Sequence, residues 1–399
     1  MTRVIVLSGP TQHPPPAADG ETGVTMPRVV LLLALSILAT TSVAAPPSGD
    51  PPDGGVPIES LDLDQLLGRD VRAGETGAWA ARLSERGFGF EVHGALTTDF
   101  IWAIGEGEKP TFDLHHAMVL LRANVADRVI PELGVEWEHG GEETYLPLAF
   151  VDLVASEALI VRAGLFPTPI GVFNAHVYPD FQRKTVGKPS MFSGVVPALW
   201  TSIGVQLRGR FPWSEGDSAF NYAVFVANGL QQKDGGEGGD LGAMHDNVID
   251  PNADKGLGGR LGVTLGRGLD LGVSGYTGMY TSDRRLSLFD ADVTVQRADL
   301  TLRAEGAMAL QEIAGGRLIK YGVYVLLAWR AAAWIEPYAQ SEVAALDDGR
   351  EMQWTEHAGL VYYPFPEILP LLMVKLEGSV TTQGGDVSGH VESQITFGL

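Results

Sequence analysis

The feature that most constrains this chain is a period of two that runs from Phe88 to the last residue. It is clearest over 259–310. Leu261, Val263 and Leu265 alternate with Arg260, Gly262 and Thr264. After Gly266-Arg267-Gly268, Leu269, Leu271 and Val273 alternate with Asp270, Gly272 and Ser274. Ala291, Val293 and Val295, then Leu300, Leu302 and Ala304, continue the rhythm. Such a period places each set on one face of a strand. Here the second face carries charges, small polar residues and glycine. A soluble sandwich also alternates, but the repetition in segments of about ten residues to the chain end is that of a transmembrane antiparallel β-barrel, apolar outside and wet inside. No stretch reads as an amphipathic helix long enough to cover a parallel sheet.

Sixteen candidate strands can be drawn, from 88–103 to 388–399, among them 146–156, 158–165, 199–211, 317–330 and 369–381. The connections between them sort by parity. The links 166–198 and 229–255 follow odd strands, and even links such as 125–129, Glu157 and Arg267–Gly268 are short. Barrels of the outer membrane have short turns at one end and longer loops at the other. The reading extends to the later odd links, 282–285 and 346–351, which are drawn longer than their even neighbours.

Upstream lies the run Val29 to Ala39, VVLLLALSILA, after Met26-Pro27-Arg28 and before Thr40-Thr41-Ser42-Val43-Ala44-Ala45. A basic start, a short apolar stretch and small residues make a secretory signal peptide. The run is too short for a spanning helix, which needs about twenty residues. The expected organisation is a mis-called extension plus signal peptide over 1–45, with cleavage near Ala44 or Ala45. A periplasmic linker with short helices at 58–67 and 78–86 follows over 46–87, and the barrel occupies 88–399. An N-terminal membrane anchor and a disordered lead-in are the alternatives.

The formal net charge is −21, and the four charges before residue 45 cancel, so the acidity belongs to the remainder. That balance argues against nucleic acid as a partner. The chain has no cysteine, which excludes disulfides and thiolate metal sites. In the last strand Val391, Ser393, Ile395, Phe397 and Leu399 share one face, and His390, Glu392, Gln394 and Thr396 the other. A terminal amphipathic strand with an aromatic near its end is what barrel-insertion machinery reads. Trp102, Trp137, Trp200, Trp213, Trp329, Trp334, Trp354, Tyr362 and Tyr363 fall near strand ends, as interfacial aromatic girdles would.

The segment Leu159-Ile-Val-Arg-Ala-Gly-Leu-Phe-Pro-Thr-Pro-Ile-Gly171 resembles a stretch of Gram-negative porins of the phosphate-selective porin O/P type. There a strand ending Arg-x-Gly-x-Phe runs into a Pro-x-Gly turn and a long loop. Trp200-Thr-Ser-Ile-Gly-Val-Gln-Leu-Arg-Gly209 looks like the next strand of that pattern. The resemblance is clearest over 88–230. It implies a sixteen-stranded barrel, often a homotrimer, with a loop folded into the lumen. The basic ladder of phosphate porins is not evident in this chain.

The loop 166–198 is therefore the first candidate site, with His176, Asp180, Arg183, Lys184 and Lys188 facing Arg162, Arg208 and Arg210 on the wall. Charges gathered at a constriction select ions by their field; an ordinary surface loop is the alternative. Parity assigns Glu136, Asp270, Asp292, Glu305 and Glu377 to the lumen, with Glu91, Asp99, Glu132, Glu138, Glu336 and Glu392. Loop 229–255 holds Asp234, Glu237, Asp240, Asp246, Asp250 and Asp254, without the spacing of a calcium-binding loop. His115 and His116 are adjacent, so strict alternation sends them to opposite faces. Glu142-Glu143 has no obvious partner base, and no nucleophile elbow, P-loop or HExxH occurs.

The reading is an outer-membrane porin of a Gram-negative bacterium, passing small hydrophilic solutes or ions by diffusion. It has no catalytic residues, metal or cofactor, and its expected partners are outer-membrane lipids, the insertion machinery and the solutes. An anion- or phosphate-type selective porin, and a barrel with an enzymatic or structural role, are the alternatives.

Overall fold

The computed structural model describes residues 88–102, 109–213, 218–231, 241, 244, 254–266, 268–346 and 352–398. The expected extension, signal peptide and linker over 1–87 lie outside them, as do Asp234, Glu237, Asp240, Asp246 and Asp250. Sixteen strands follow in order: β1 (Phe88–Trp102), β2 (Thr111–Val125), β3 (Val129–Glu138), β4 (Glu143–Ser156), β5 (Leu159–Pro167), β6 (Thr201–Pro212), β7 (Ala219–Asn228) and β8 (Lys255–Leu265), then β9 (Leu269–Met279), β10 (Arg285–Arg297), β11 (Leu300–Ile313), β12 (Gly316–Trp329), β13 (Ile335–Ala345), β14 (Met352–Tyr362), β15 (Leu372–Gln383) and β16 (Asp386–Gly398). Each pairs antiparallel with its neighbours in sequence, and β1 closes on β16 from Ala95↔Gly398 to Trp102↔Val391. Closure leaves no edge strand, so every strand has a ladder partner on both sides.

The alternation drives this arrangement. On β12, Ile319, Tyr321, Val323, Val325, Leu327 and Trp329 point outward and are between 37% and 55% exposed, while Lys320, Tyr324 and Leu326 point inward and are 3% exposed or less. An outward row of that kind would be a core in a soluble protein; on a barrel it is the face that lipid covers. The two faces also explain why a lysine sits inside and a tryptophan outside.

Three sequence expectations are corrected. The later odd links are not all longer than their even neighbours. β11–β12 turns on Ala314-Gly315 and β15–β16 on Gly384-Gly385, both glycines of the latter at positive φ, whereas the even link β14–β15 runs over 363–371. Two-residue hairpins of this handedness fit the strand twist, and they free Thr381–Gln383 and Asp386–Ser388 to pair. Trp200 and Tyr363 are not girdle residues. Trp200 is buried edge-on against Tyr276, and Tyr363 turns into the lumen, where its hydroxyl donates to Glu336. The other seven aromatics named above are exposed.

The third correction concerns His115 and His116. The register of β1 on β2 steps from Thr97↔His116 to Asp99↔Asp113, so β2 carries one extra residue there. A bulge re-aims side chains and breaks strict alternation. Both imidazoles consequently face inward, stacked with centroids 4.2 Å apart.

Candidate functional site

The connection between β5 and β6, residues 168–200, does not project outward. It fills one side of the lumen. Its entry is the Arg-x-Gly-x-Phe strand end: Arg162 points inward, lies over the Phe150 ring at 3.7 Å and bonds both Asp152 oxygens at 2.7 and 2.8 Å. Phe166 is fully buried. Gly171 then turns the chain at φ 71°, where a Cβ would sit 1.8 Å from Glu305 Oε1. The turn needs a glycine for its backbone and for the space. The loop leaves and returns side by side, with the Thr168 amide donating to the Trp200 carbonyl at 2.8 Å.

The loop is tied to the β9–β15 wall. The Gly171 amide donates to Ser274 Oγ (2.9 Å) and the Phe173 amide to Glu305 Oε2 (3.0 Å), which also accepts from the Tyr324 hydroxyl (2.8 Å). Lys184 Nζ reaches Glu336 (3.0 Å) and Tyr363 (3.1 Å). The Val186 amide donates to Glu377 (3.1 Å) and the Ser190 amide to Glu342 (2.6 Å). Lys375, fully buried on β15, donates to the carbonyls of Asp180 (2.7 Å) and Thr185 (3.3 Å). Between these ties the loop packs an apolar cluster into the barrel: Ile170, Phe173, Phe192, Val195 and Val196 meet Leu286 and Leu288 of β10. The inward face is therefore not wet throughout; it is apolar where the loop covers it.

Removing this much charge from water moves its titration. Burial pushes the Lys184 ammonium down to about 8, against the opposing pull of Glu336. Burial likewise lowers Arg183 and raises the Tyr178 phenol.

The loop leaves space on the opposite side of the lumen, along β1–β4. A cavity of about 390 Å³ lies between that wall and the loop, lined among others by His93, Thr97, His116, Glu136, Tyr178 and Asp180. Across it, His116 Nε2 on the wall lies 3.8 Å from Asp180 Oδ2 of the loop. Glu136 Oε1 is 2.5 Å from His116 Nδ1, Asp99 pairs with His115, and Asp113 is 2.8 Å from His139.

Of the constriction residues expected from sequence, Asp180, Arg183 and Lys184 lie in the loop's buried interior, with Arg183 bonded to Asp180. His176 is part-buried and Lys188 is exposed. Arg208 faces inward beside Ile160, and Arg210 pairs with Glu157 at 3.1 Å, at the end of β6 away from the loop. Arg210 is thus separated from the group it was expected to join. The acids Glu136, Asp292, Glu305 and Glu377 are buried on the inward face, and Asp270 is part-buried there, bonded by Thr264. Asp292 is held by Arg260, one contact being 2.8 Å. The sequence reading missed Lys375 and Glu342 as loop anchors, and Tyr324 and Tyr338 as the donors that hold the anchoring Glu305 and Glu377. Their inward parity was the available signal; Glu342 and Lys375 meet the loop across sequence separations of 152 and 195 residues.

The fold and this internal loop place the chain in a structural class: closed sixteen-stranded barrels whose lumen is narrowed by an inward loop. Solved outer-membrane proteins are similar to the chain in fold. The chain is similar to the anion-selective porin from Comamonas acidovorans, with 11% identity over 78% of this chain and 100% of that one and a TM-score of 0.56. It is similar to Salmonella typhi OmpF in complex with daunomycin, with 11% identity, 79% and 99% coverage and a TM-score of 0.56. The trimer form of OmpT, an outer membrane protein of Vibrio cholerae, gives 13%, 78%, 100% and 0.55. At such identities the likeness is one of fold. No family model and no curated protein sequence matches the chain.

Proposed function

We propose that this protein is a porin of a Gram-negative outer membrane: a water-filled, non-enzymatic channel through which small hydrophilic solutes and ions diffuse. The observation that carries the reading is the pairing of an apolar outer face with a polar lumen that the 168–200 loop half closes. Beside the loop, along β1–β4, a cavity of about 390 Å³ remains, and we read it as part of the aqueous path. We assign that path a mild cation preference. Two of the loop's cations are already paired, Lys184 with Glu336 of the wall and Arg183 with Asp180 inside the loop, as Arg162 of the wall is with Asp152. The open side instead presents Asp99, Glu136, Glu138 and Glu392 with histidines among them. Fixed negative charge beside a narrow aqueous path concentrates cations. A homotrimer is the assembly proposed with it, in keeping with the trimer form of OmpT.

The test is the reversal potential of the reconstituted protein across a KCl gradient. Cation preference that weakens with salt supports the reading. Strong anion selectivity would move it to the phosphate-selective porin O/P type that segment 159–171 resembles.

A further inference from the structure

The histidine bulge on β2 builds a second feature, independent of whether the barrel conducts. His116 Nδ1 lies 2.5 Å from Glu136 Oε1 and 3.7 Å from Glu138 Oε1. One ligand atom from each of the three residues falls within 4.8 Å of the others. Strand geometry explains the grouping. Glu136 and Glu138 are two apart on β3 and share its inward face, and the register sets His116 opposite Glu138. The bulge adds His115 to the same side.

We propose that His116, Glu136 and Glu138 bind a divalent transition-metal ion of the Zn2+ type, with Asp180 of the loop as the outer support of the imidazole. Zinc holds nitrogen and carboxylate oxygen at about 2.0–2.2 Å, which in a tetrahedron separates ligand atoms by about 3.3 Å. The contact to Glu136 opens by less than about 1 Å, and that to Glu138 closes by less, to reach this spacing. Glu138, at the end of β3 and only part-buried, is free to make that adjustment. One imidazole and two carboxylates neutralise the ion and leave a fourth position for water or a passing solute.

The second observation is Asp180. Its Oδ1 is taken by Arg183, while Oδ2 is buried with no hydrogen-bond donor and faces His116 Nε2 at 3.8 Å. A metal-ligating histidine donates its other ring N–H to an acceptor of this kind, which fixes the tautomer. Metal on Nδ1 puts the proton on Nε2, 3.8 Å from the one oxygen of Asp180 that lacks a donor, so the two side chains close by about 1 Å to bond. Imidazole in the ligand set favours zinc, copper or nickel over magnesium and calcium. Because Asp180 belongs to the loop and His116 to the wall, the outer support of the imidazole would join loop to wall beside the ion.

Isothermal titration of the full-length protein in detergent with ZnCl2, and separately with MgCl2, tests this. One zinc site per chain is expected, at least about tenfold tighter than magnesium. His116→Gln and Glu138→Gln should each weaken it by at least about tenfold, and Asp180→Asn by about tenfold, as loss of an outer-sphere partner does. Zinc binding unchanged in both His116→Gln and Glu138→Gln, or no tighter than magnesium, overturns the proposal. Should His116→Gln fail to fold, judged by heat-modifiable migration, Glu138→Gln decides alone. Conductance measured in a chelator reads the channel separately, so a conducting protein that binds no zinc refutes the metal site and leaves the porin reading standing.

Discussion

Placing arginine at Val273 tests the orientation of every strand at once. Val273 is central in β9, 55% exposed, and lies between Leu261 of β8 and Ala291 of β10. Its outward neighbours Leu271 and Phe289 are also exposed, so the new guanidinium would enter hydrocarbon with no partner. At mid-membrane that costs about 2–4 kcal/mol, or roughly 25- to 700-fold in the folding equilibrium. The control must face the lumen without touching the loop. Adjacent positions do not qualify: Ser274 Oγ holds the Gly171 amide, and a Cβ at Gly272 would meet the Arg260 guanidinium. Ser379 on β15, inward and part-buried in phase with Lys375 and Glu377, is suitable. Reversible unfolding in lipid vesicles by denaturant titration gives the comparison. Val273→Arg should lose about 2–4 kcal/mol and Ser379→Arg well under half of that. Equal losses at the two sites would refute the inside–outside assignment.

Gly171→Ala combines a left-handed backbone with a clash at Glu305, and should lose about 1–3 kcal/mol; Gly266→Ala, at φ 60° with open space around it, isolates the backbone part and should lose less in the same unfolding titration. Glu336→Gln removes the charge partner of the buried Lys184 and of Arg330, so the loop should loosen and single-channel current should become larger and noisier. The Lys184 cost is pH-dependent. With its folded pKa at about 8 against an ordinary 10.5, the native state sheds that proton first. The penalty for burying the ammonium is full below pH 8 and fades as pH rises towards 10.5, so stability relative to Lys184→Met should climb across that window. Glu136→Gln with Glu138→Gln should shift the reversal potential towards zero in dilute salt, and little in 1 M salt, where charges are screened beyond about 3 Å.

Strand count and facing were legible because each rests on local pattern; the inward path of the loop was legible only through the resemblance of 159–171 to a porin stretch. Period two names the face, and Arg162, Gly164 and Phe166 with the Pro-x-Gly turn mark where the chain leaves the wall. Two things were not legible. The bulge on β2 depends on pairing with Asp99 and Asp113, so nothing in the dipeptide His115-His116 announces that both rings face inward. The loop's anchoring depends on tertiary position: Lys375 reads as one more lumen charge, yet its ammonium is spent on backbone carbonyls of Asp180 and Thr185. Arg210 fails for a related reason, since parity gives a residue's face but not its height along the barrel.

The central claim is a water-filled lumen narrowed by the 168–200 loop, and single-channel conductance tests it most directly. The loop's ends meet at Thr168 and Trp200, so a short Gly/Ser link can replace 172–198 without opening the wall. The intact protein in planar bilayers should show an ohmic conductance that scales with salt, and the shortened one, once shown to be folded by heat-modifiable migration, a clearly larger conductance. A folded barrel that carries no current, or one whose current is unchanged by removing the loop, would contradict the account.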